Sequence, residues 1–520
     1  MDNRNYNIFF HIHTVSGITI SVILYVIFFA GSFAFFRDEI NSWQRNESAV
    51  PDKVLHVDFD KSVKVLDSAY VLQGRHVWFG RLHMERQSIV NLEPTHDSLA
   101  PKKARESHYL YQDSKTLKSQ TYDESYALGE FLYRLHFLAQ IPYPYGYYLA
   151  GFTALFFLFA IFTGVLVHWK KIVSNFYVFR PKEKLKTLWT DSHTALGMIG
   201  LPFQFVYAVT GAFFLINILL VAPAVLTFYG GDDNKLYTEL GYIPKEYPMA
   251  NKALQTPVSI NAFAEKAQKL WKDFDVMELE IQNYGDANMH IIIEGSIPKS
   301  EKFTGTGKAV YKAATGELVF QENPYAQTSY VESVKNILYR IHYGDYAGYA
   351  LKIISFLLGL LTCFVILSGV MLWLVARKKK NMPEKKRRFN ERVVKVYLAI
   401  TLSMFPITAL TFIAVKIYPA AAMDFIYSFY FIGWLLLTVG FLIKNDYAFT
   451  NKYALLLGSI AGFTIPVING ILTGNWIWVS LKNNIFQVFF IDAFWIILSV
   501  IGLFAFIKVH KHQKSKKASV

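Results

Sequence analysis

The sequence predicts a polytopic α-helical membrane protein with about eight transmembrane helices and two small α+β domains outside the membrane. Composition is the first observation behind this fold class: of the 520 residues, 53% are apolar, 17% are aromatic and only 18% are charged. Soluble domains carry about 25% charge. The second observation is a set of eight apolar runs, each long enough to cross a bilayer. The third is a unit of helix, polar segment and helix that occurs twice.

The boundaries of the predicted segments follow the apolar runs and the polar stretches between them. In chain order they are a first transmembrane helix within 1–36, a first outer domain at 37–145, a second helix at 146–169, a basic loop at 170–189, a third helix at 190–228, a second outer domain at 229–346, a fourth helix at 347–376, a second basic loop at 377–392, a four-helix extension at 393–507 and a basic tail at 508–520. The helices of the extension are predicted at 393–418, 424–443, 453–474 and 485–507.

Basic residues set the predicted orientation. The excess of lysine and arginine, which gives a formal net charge of +14, is concentrated in the two basic loops and the tail. All three lie on one side of an eight-helix topology, and such loops stay in the cytoplasm. We therefore expect cytoplasmic termini and extracytoplasmic outer domains. The basic clusters are interpreted as topology signals and contacts to membrane lipids, so no nucleic-acid partner is expected.

The duplicated unit shows most clearly in the first and third helices. In each, a histidine precedes two glycines by 4 and 18 residues. Eighteen residues make five helical turns, so the three residues share one helix face. The matching residues are His13, Gly17 and Gly31 in the first helix, and His193, Gly197 and Gly211 in the third.

The second half of the unit is repeated as well. Leu132–His136 leads into the second helix and Leu338–His342 leads into the fourth, with the same pattern Leu-Tyr-Arg-(Leu/Ile)-His. The second helix ends in Gly164-x3-His168, where the fourth has Gly369-x3-Trp373. Because both units have the same topology, we expect a pseudo-twofold axis along the membrane normal.

These motifs resemble those of the PepSY-associated transmembrane family, iron-regulated inner-membrane proteins that include haem-containing ferric-siderophore reductases. The resemblance covers about 1–380 and is carried by His13-x3-Gly17, Phe131–His136, Gly164-x3-His168, Asn175–Pro181, Asp191–His193 with Leu201–Phe203, Leu338–His342 and Ser368–Trp373. It implies a bacterial inner-membrane protein with PepSY-like periplasmic domains. It also implies a ferric siderophore or other ferric chelate as substrate, and an electron donor that is a quinol or a cytoplasmic reductase.

Five histidines near helix ends are the candidate cofactor ligands. The iron of haem b takes two axial imidazoles from facing helices, and a duplicated unit supplies symmetric pairs. The pairs are His13 with His193 and His136 with His342, and His168 either replaces a member of the first pair or contacts a propionate. The four repeat glycines would let two flat haems approach the helices. Arg134 and Arg340 would neutralise propionates or face lipid phosphates.

Other interpretations of these residues stay open. The histidines would otherwise be interfacial side chains with one hydrated nitrogen, or zinc ligands that lack neighbouring carboxylates or cysteines. The outer-domain histidines are interpreted as surface residues: His56, His76, His83, His96, His108 and His290. Asp492 is expected to make a buried hydrogen bond and Lys416 to extend to the membrane surface. Gln204 stands where the family often has a histidine, and no ligand role is assigned to it.

The predicted function is a four-helix, two-haem oxidoreductase that passes electrons across the membrane to a ferric chelate. Two alternatives come from other classes. The outer domains would act as binding or regulatory modules in a protein that is not an enzyme, or the parallel repeats and the intramembrane acid Asp492 would belong to a transporter. The sequence assigns no chemistry to the last four helices.

Overall fold

The computed structural model describes residues 2–47, 54–81, 83–95, 97, 100–171, 174, 177, 180, 183–239, 245–299, 301–378 and 382–518. The chain divides into two compact units. The membrane unit comprises Met1–Glu47, Ala127–Pro223 and Arg340–Val520, and the sheet unit comprises Ser48–Tyr126 and Ala224–Tyr339. Of the motif at 175–181, only Tyr177 and Arg180 fall within the described residues.

Helices and strands are numbered in chain order over the described ranges. The helices are α1 (Asn3–Ala34), α2 (Arg37–Arg45), α3 (Phe59–Tyr70), α4 (Tyr122–Ser125), α5 (Leu128–Leu135), α6 (Tyr145–His168), α7 (Leu185–Phe228), α8 (Asp233–Glu239), α9 (Ile260–Leu270), α10 (Tyr330–Tyr343), α11 (Gly348–Arg377), α12 (Glu384–Leu402), α13 (Met404–Ile417), α14 (Met423–Lys444), α15 (Tyr447–Thr473), α16 (Ile477–Lys482) and α17 (Phe486–Ala518). The strands are β1 (Val77–Gly80), β2 (Gln87–Leu92), β3 (His108–Asp113), β4 (Ser119–Thr121), β5 (Asp275–Gln282), β6 (His290–Ser296), β7 (Thr306–Lys312) and β8 (Glu317–Glu322).

Eight helical segments in the described part of the chain are long and apolar enough to cross a membrane. They are Asn3–Ala34, Tyr145–His168, Lys186–Asn217, Gly348–Arg377, Glu384–Ile417, Met423–Lys444, Tyr447–Thr473 and Phe486–Lys511. Their number and composition confirm the predicted fold class, a polytopic helical membrane protein with additional domains. α1 packs against α5, α6, α11 and α12, and 56% of its apolar stretch is buried, against 22% for Met423–Lys444. α1 therefore lies inside the membrane unit.

Two predicted helices differ in detail from the observed ones. The fifth begins at Glu384, so basic residues that were expected in the loop 377–392 lie in the first turns of α12. It is interrupted between α12 and α13 because Pro406 has no N–H to donate to the carbonyl of Leu402. The third helix, α7, begins at Leu185 and has non-helical backbone at Ile216, with φ −129° and ψ 23°.

In the described residues of the sheet unit, the strands form one antiparallel sheet with the order β4-β3-β2-β1-β5-β6-β7-β8. Each of the two segments predicted as an outer domain contributes four strands. They join where β1 pairs with β5, with Val77 opposite Ile281 and Phe79 opposite Leu279. These four residues lie on the same face of the sheet. Together with other alternate residues of the strands, they pack against α3 and α9 in one hydrophobic core. The prediction of separate domains did not anticipate this shared sheet.

The N-termini of α3 and α9 cap each other. Asp60 accepts hydrogen bonds from the Ser259 hydroxyl (2.6 Å) and the Ile260 amide (2.5 Å). Asn261 in turn accepts from the Phe59 amide (2.8 Å). The first amides of a helix have no acceptor within the helix. Here a side chain of the other segment accepts a hydrogen bond from them at each N-terminus, so the two halves of the sheet unit stabilise each other.

We expect Asp60→Ala to destabilise the sheet unit by about 1–2 kcal/mol, because it removes three hydrogen bonds at the N-terminus of α9, from the Ser259 hydroxyl and from the Ile260 and Asn261 amides. Amide hydrogen exchange in 260–270 of the full-length protein measures this effect. Asp60→Asn, which keeps one acceptor, should lose less. Equal exchange in the wild type and Asp60→Ala would show that the cap does not stabilise α9.

Candidate functional site

His13 and His193 occupy equivalent positions in the two repeats. The Nδ1 atom of His13 lies 2.9 Å from the carbonyl oxygen of Ala160 on α6. The Nδ1 atom of His193 lies 3.0 Å from the carbonyl oxygen of Val365 on α11. A carbonyl oxygen only accepts, so each Nδ1 carries the proton and donates it. The lone pair of each ring is therefore on Nε2, the atom that remains available to a metal.

A small residue makes room for each of these rings. A Cβ atom placed on Gly164 would lie 3.1 Å from the Cε1 atom of His13, and one on Gly369 would lie 3.0 Å from that of His193. Both distances are tighter than ordinary van der Waals contact, so a larger residue would press on the ring. In the sequence these two glycines are recognisable as equivalent positions at helix ends, but nothing there indicates that each adjoins a histidine.

The first pair of histidines, His13 and His193, lies ring to ring. Their ring centres are 6.0 Å apart, with an angle of 61° between the ring planes. His168 interacts electrostatically with both rings, so it lies beside the pair. The ring contact joins His13 to His193, the two equivalent residues of the repeat, and His168 stays a candidate beside them.

The second pair, His136 and His342, also lies ring to ring. Their centres are 6.4 Å apart and their planes are inclined by 33°. The Nδ1 atom of His136 is hydrogen-bonded to the carbonyl oxygen of Tyr133. The Nδ1 atom of His342 lies 2.7 Å from the Thr210 hydroxyl, whose own proton goes to the carbonyl of Val206. Again Nδ1 is the donor and Nε2 keeps the lone pair.

The surroundings of the second pair keep both imidazoles neutral. Burial lowers the pKa of His136 to about 4 and that of His342 to about 3, and the neighbouring His136 contributes to the shift at His342. Neutral imidazole is the form that binds a metal. The rings of Tyr207 and Phe214 lie 5.0 and 5.1 Å from the ring of His342, and they form an apolar wall around it.

Both separations fit a metal held between two imidazoles. A metal–imidazole bond is about 2 Å long, and the ring centre lies roughly 1 Å behind the nitrogen, so opposed ligands of one ion have ring centres about 6 Å apart. The observed values are 6.0 and 6.4 Å. The donor set of two neutral imidazoles is that of a bis-histidine haem iron. Within the described ranges, no group of three or more His, Cys, Asp and Glu side chains could hold a metal ion.

The four repeat glycines do not have equivalent environments. A Cβ atom on Gly17 would meet nothing within 4 Å, and one on Gly197 would meet only Val365, at 3.9 Å. These two positions have the open space that a flat macrocycle would require. A Cβ on Gly31 would lie 3.6 Å from His136, and one on Gly211 would lie 3.3 Å from Ala154. Gly31 and Gly211 therefore serve side-chain packing.

The two arginines of the repeated Leu-Tyr-Arg motif also differ. Arg134 lies over the ring of Phe137, 5.8 Å from its centre. Arg340 lies 3.9 Å from a carboxylate oxygen of Asp345 and is mostly buried. Arg340 therefore has a carboxylate of its own segment within ion-pair distance.

The two pairs lie far apart along the bundle. Gly31, eighteen residues after His13 on the continuous helix α1, contacts His136. At about 1.5 Å per residue, the pairs are separated by about 27 Å. Aromatic rings occupy part of this interval. The ring centre of Phe28 lies 5.4 Å from that of Phe157 and 6.4 Å from that of Phe203. The ring of Phe203 in turn lies 4.3 Å from that of Tyr207, beside His342. The sequence offered no signal for this aromatic contact chain.

The sheet unit has a cavity of about 380 Å³ on the face opposite its core. Its lining residues are His76, Trp78, Asn91, Glu93, Glu278, Glu280, Ile292, Glu294, Lys308 and Lys335. Burial raises the pKa of Glu278, and the charge of Glu294 adds to the effect. The interpretation of His76 and His290 as surface residues is wrong, since they are only 7% and 4% exposed.

The fold and the paired histidines define a multi-pass α-helical membrane protein with an internal duplication and an antiparallel sheet unit. Residues 10–376 match the family model described as the PepSY-associated TM region. The chain belongs to this family. A search of curated proteins found no match. The family match ends before α12, so the last helices lie outside it.

Proposed function

We propose that this protein is a b-type dihaem oxidoreductase of the bacterial inner membrane, which passes electrons across the membrane to reduce a ferric siderophore or another ferric chelate in the periplasm. One observation carries the proposal. Two symmetric pairs of histidines, one at each end of the bundle, have ring centres 6.0 and 6.4 Å apart, and each ring presents Nε2 because Nδ1 donates a hydrogen bond.

In this proposal, the residues of the chain fix the ligands and exclude water. Backbone carbonyls and Thr210 hold each imidazole in the required tautomer, and their hydrogen bonds make the ligand more basic. The rings of Tyr207 and Phe214 keep the surroundings of the second pair apolar. Two bound haems would supply one-electron carriers near the two membrane faces. The donor is a quinol or a cytoplasmic reductase. The chelate accepts one electron per Fe(III), and Fe(II) is held more weakly by oxygen ligands.

The visible spectrum of the purified full-length protein tests the proposal. We expect a Soret band, sharp α-bands after reduction, and about two haems per chain. In proteoliposomes with the reductant inside, a ferric chelate outside should be reduced, and a colour reagent for Fe(II) would detect the product. A folded preparation that binds no haem when haem is supplied would exclude this function.

Reporter fusions test the proposed sidedness. Because basic loops stay in the cytoplasm, fusions after Lys385 should be active only in the cytoplasm, and fusions after Lys115 or Gly285 only in the periplasm. Paired reporters, one active in each compartment, serve as mutual controls. A cytoplasmic signal from Lys115 or Gly285 would reverse the proposed direction of electron flow.

The cavity of the sheet unit favours a second candidate, a binding module in a protein that is not an enzyme. Four glutamates, two lysines, Trp78 and Asn91 line it, a mixture that suits a polar ligand with an aromatic or cationic part. Binding of a ligand by a haem-free, folded protein would support this alternative over electron transfer.

A further inference from the structure

The helix α2 is short and polar, and yet it is largely buried. Its buried residues are Arg37, Glu39, Ile40, Asn41, Ser42 and Trp43. Buried polar groups are costly unless they are hydrogen-bonded, so the partners of α2 are informative. Those partners lie on the helices that follow the family match, on α5, and on α11, where Lys352 pairs with Glu39 (2.7 Å).

Trp43 is the main contact between α2 and the C-terminal helices. Its indole N–H donates to Asp492 Oδ1 (2.8 Å), and the other oxygen of Asp492 accepts from Asn469 Nδ2 (2.8 Å). The ammonium of Lys416 donates to the Trp43 carbonyl and lies 4.2 Å from the centre of the indole ring. Trp43 and Asp492 are 0% exposed and Lys416 is 6% exposed. Asp492 makes buried hydrogen bonds, whereas the expectation that Lys416 extends to the membrane surface is wrong.

Other residues of α2, close to Trp43, bind to α5. Arg37 forms a buried ion pair with Glu130 (2.6 Å). The side-chain oxygen of Gln44 accepts from the Leu128 amide (2.8 Å). Gly129 is packed so closely that a Cβ atom there would lie 2.2 Å from the carbonyl oxygen of Arg37. The C-terminal helices also contact α5 directly, since the rings of Phe131 and Tyr430 lie with their centres 4.7 Å apart.

The helix held in this way ends at a candidate ligand. His136 is the C-cap residue of α5, and its Nδ1 is bonded to the carbonyl of Tyr133 within the helix. A change in the position of α5 therefore changes the position of the His136 ring.

The helix of the second repeat that corresponds to α5 is more exposed. In α10, Val334 and Ile337 stand at the positions of Leu128 and Phe131. They are 37% and 42% exposed. Leu128 and Phe131 are both 0% exposed. The two histidines of the second pair are thus carried by helices with different support.

We infer that the C-terminal helices position His136. Asp492 and Lys416 hold Trp43 in place, Asn469 fixes the Asp492 carboxylate, and α2 in turn fixes the position of α5. The inference gives the extension a role and makes Trp43 a positioning residue. Its meaning for a ligand rests on the proposed function, whereas the mechanical link between Trp43 and α5 does not.

The test uses Trp43→Phe, which removes the indole N–H and keeps an aromatic ring, in the full-length protein. Amide hydrogen exchange in 128–136 should accelerate about tenfold or more, because a buried bond to a charged group is lost. Exchange in 334–342 is the internal control and should not change. The reduction potential and low-spin electron paramagnetic resonance signal of the haem at the second pair should shift, while those of the first pair stay constant.

Thr438→Val is the matched control variant, because it removes a buried hydrogen bond between Ser403 and Thr438 within the extension (3.1 Å) that does not involve α2. It should alter neither readout. Unchanged exchange in 128–136 of folded Trp43→Phe would overturn the link. Faster exchange with an unchanged second-pair haem would overturn the positioning of His136. If no preparation binds haem, the proposed function fails, and the exchange result alone decides whether Trp43 holds α5.

Discussion

His342→Ala is expected to lower the haem content from about two to about one per chain, because the haem at the second pair would lose one of its two axial bonds. His136→Ala should give the same loss, and the double variant should lose no more than either single one. The first pair should keep its haem, since about 27 Å of helix separates the two sites. Haem per protein and the low-spin spectrum measure the result.

The same variants separate electron entry from electron exit. Reduction of an external ferric chelate should fall sharply, while reduction of the remaining haem from the inner side should persist. His290→Ala is a suitable control because His290 is a buried histidine of the sheet unit, stacked 3.7 Å from Tyr247. Two haems with unchanged spectra in both His136→Ala and His342→Ala would disprove the pairing.

The sequence predicted the membrane helices well because hydrocarbon imposes a simple rule: about 20 apolar residues, with every backbone group bonded inside the helix. It also predicted which histidines are equivalent, because duplication preserves spacing. The sheet was harder. The pairing of β1 with β5 joins residues about 200 positions apart, and strand alternation gives no information on which distant strand is the neighbour.

The details of the site depended on contacts that spacing does not encode. The four repeat glycines looked equivalent, yet Gly17 borders open space and Gly211 packs on Ala154. Thr210 donates to a backbone carbonyl in its own helix and accepts from His342, which is visible only once α7 and α10 are together. Lys416 was expected at the membrane surface because a buried ammonium is costly. Its cost is offset here by the carbonyl and ring of Trp43.

Gly17→Leu is expected to remove most of the haem from the first pair without unfolding the protein. Gly17 lies one turn after His13 on the same face of α1, and a Cβ atom there would meet nothing within 4 Å. The polypeptide therefore has room for the leucine, and leucine also favours the helix by roughly 1 kcal/mol relative to glycine. If a macrocycle occupies that space when it binds, the new side chain would exclude it.

Gly440→Leu is the matched control, since Gly440 lies on the membrane helix α14 and a Cβ atom there also meets nothing within 4 Å. Haem titration of both variants should show weaker binding at one site in Gly17→Leu and two normal sites in Gly440→Leu. Equal helix content by circular dichroism would show that the difference is local. Because the second pair does not border Gly17, its haem should keep its spectrum and potential. Two normally bound haems in Gly17→Leu would mean that the space beside His13 and His193 is not where the cofactor binds.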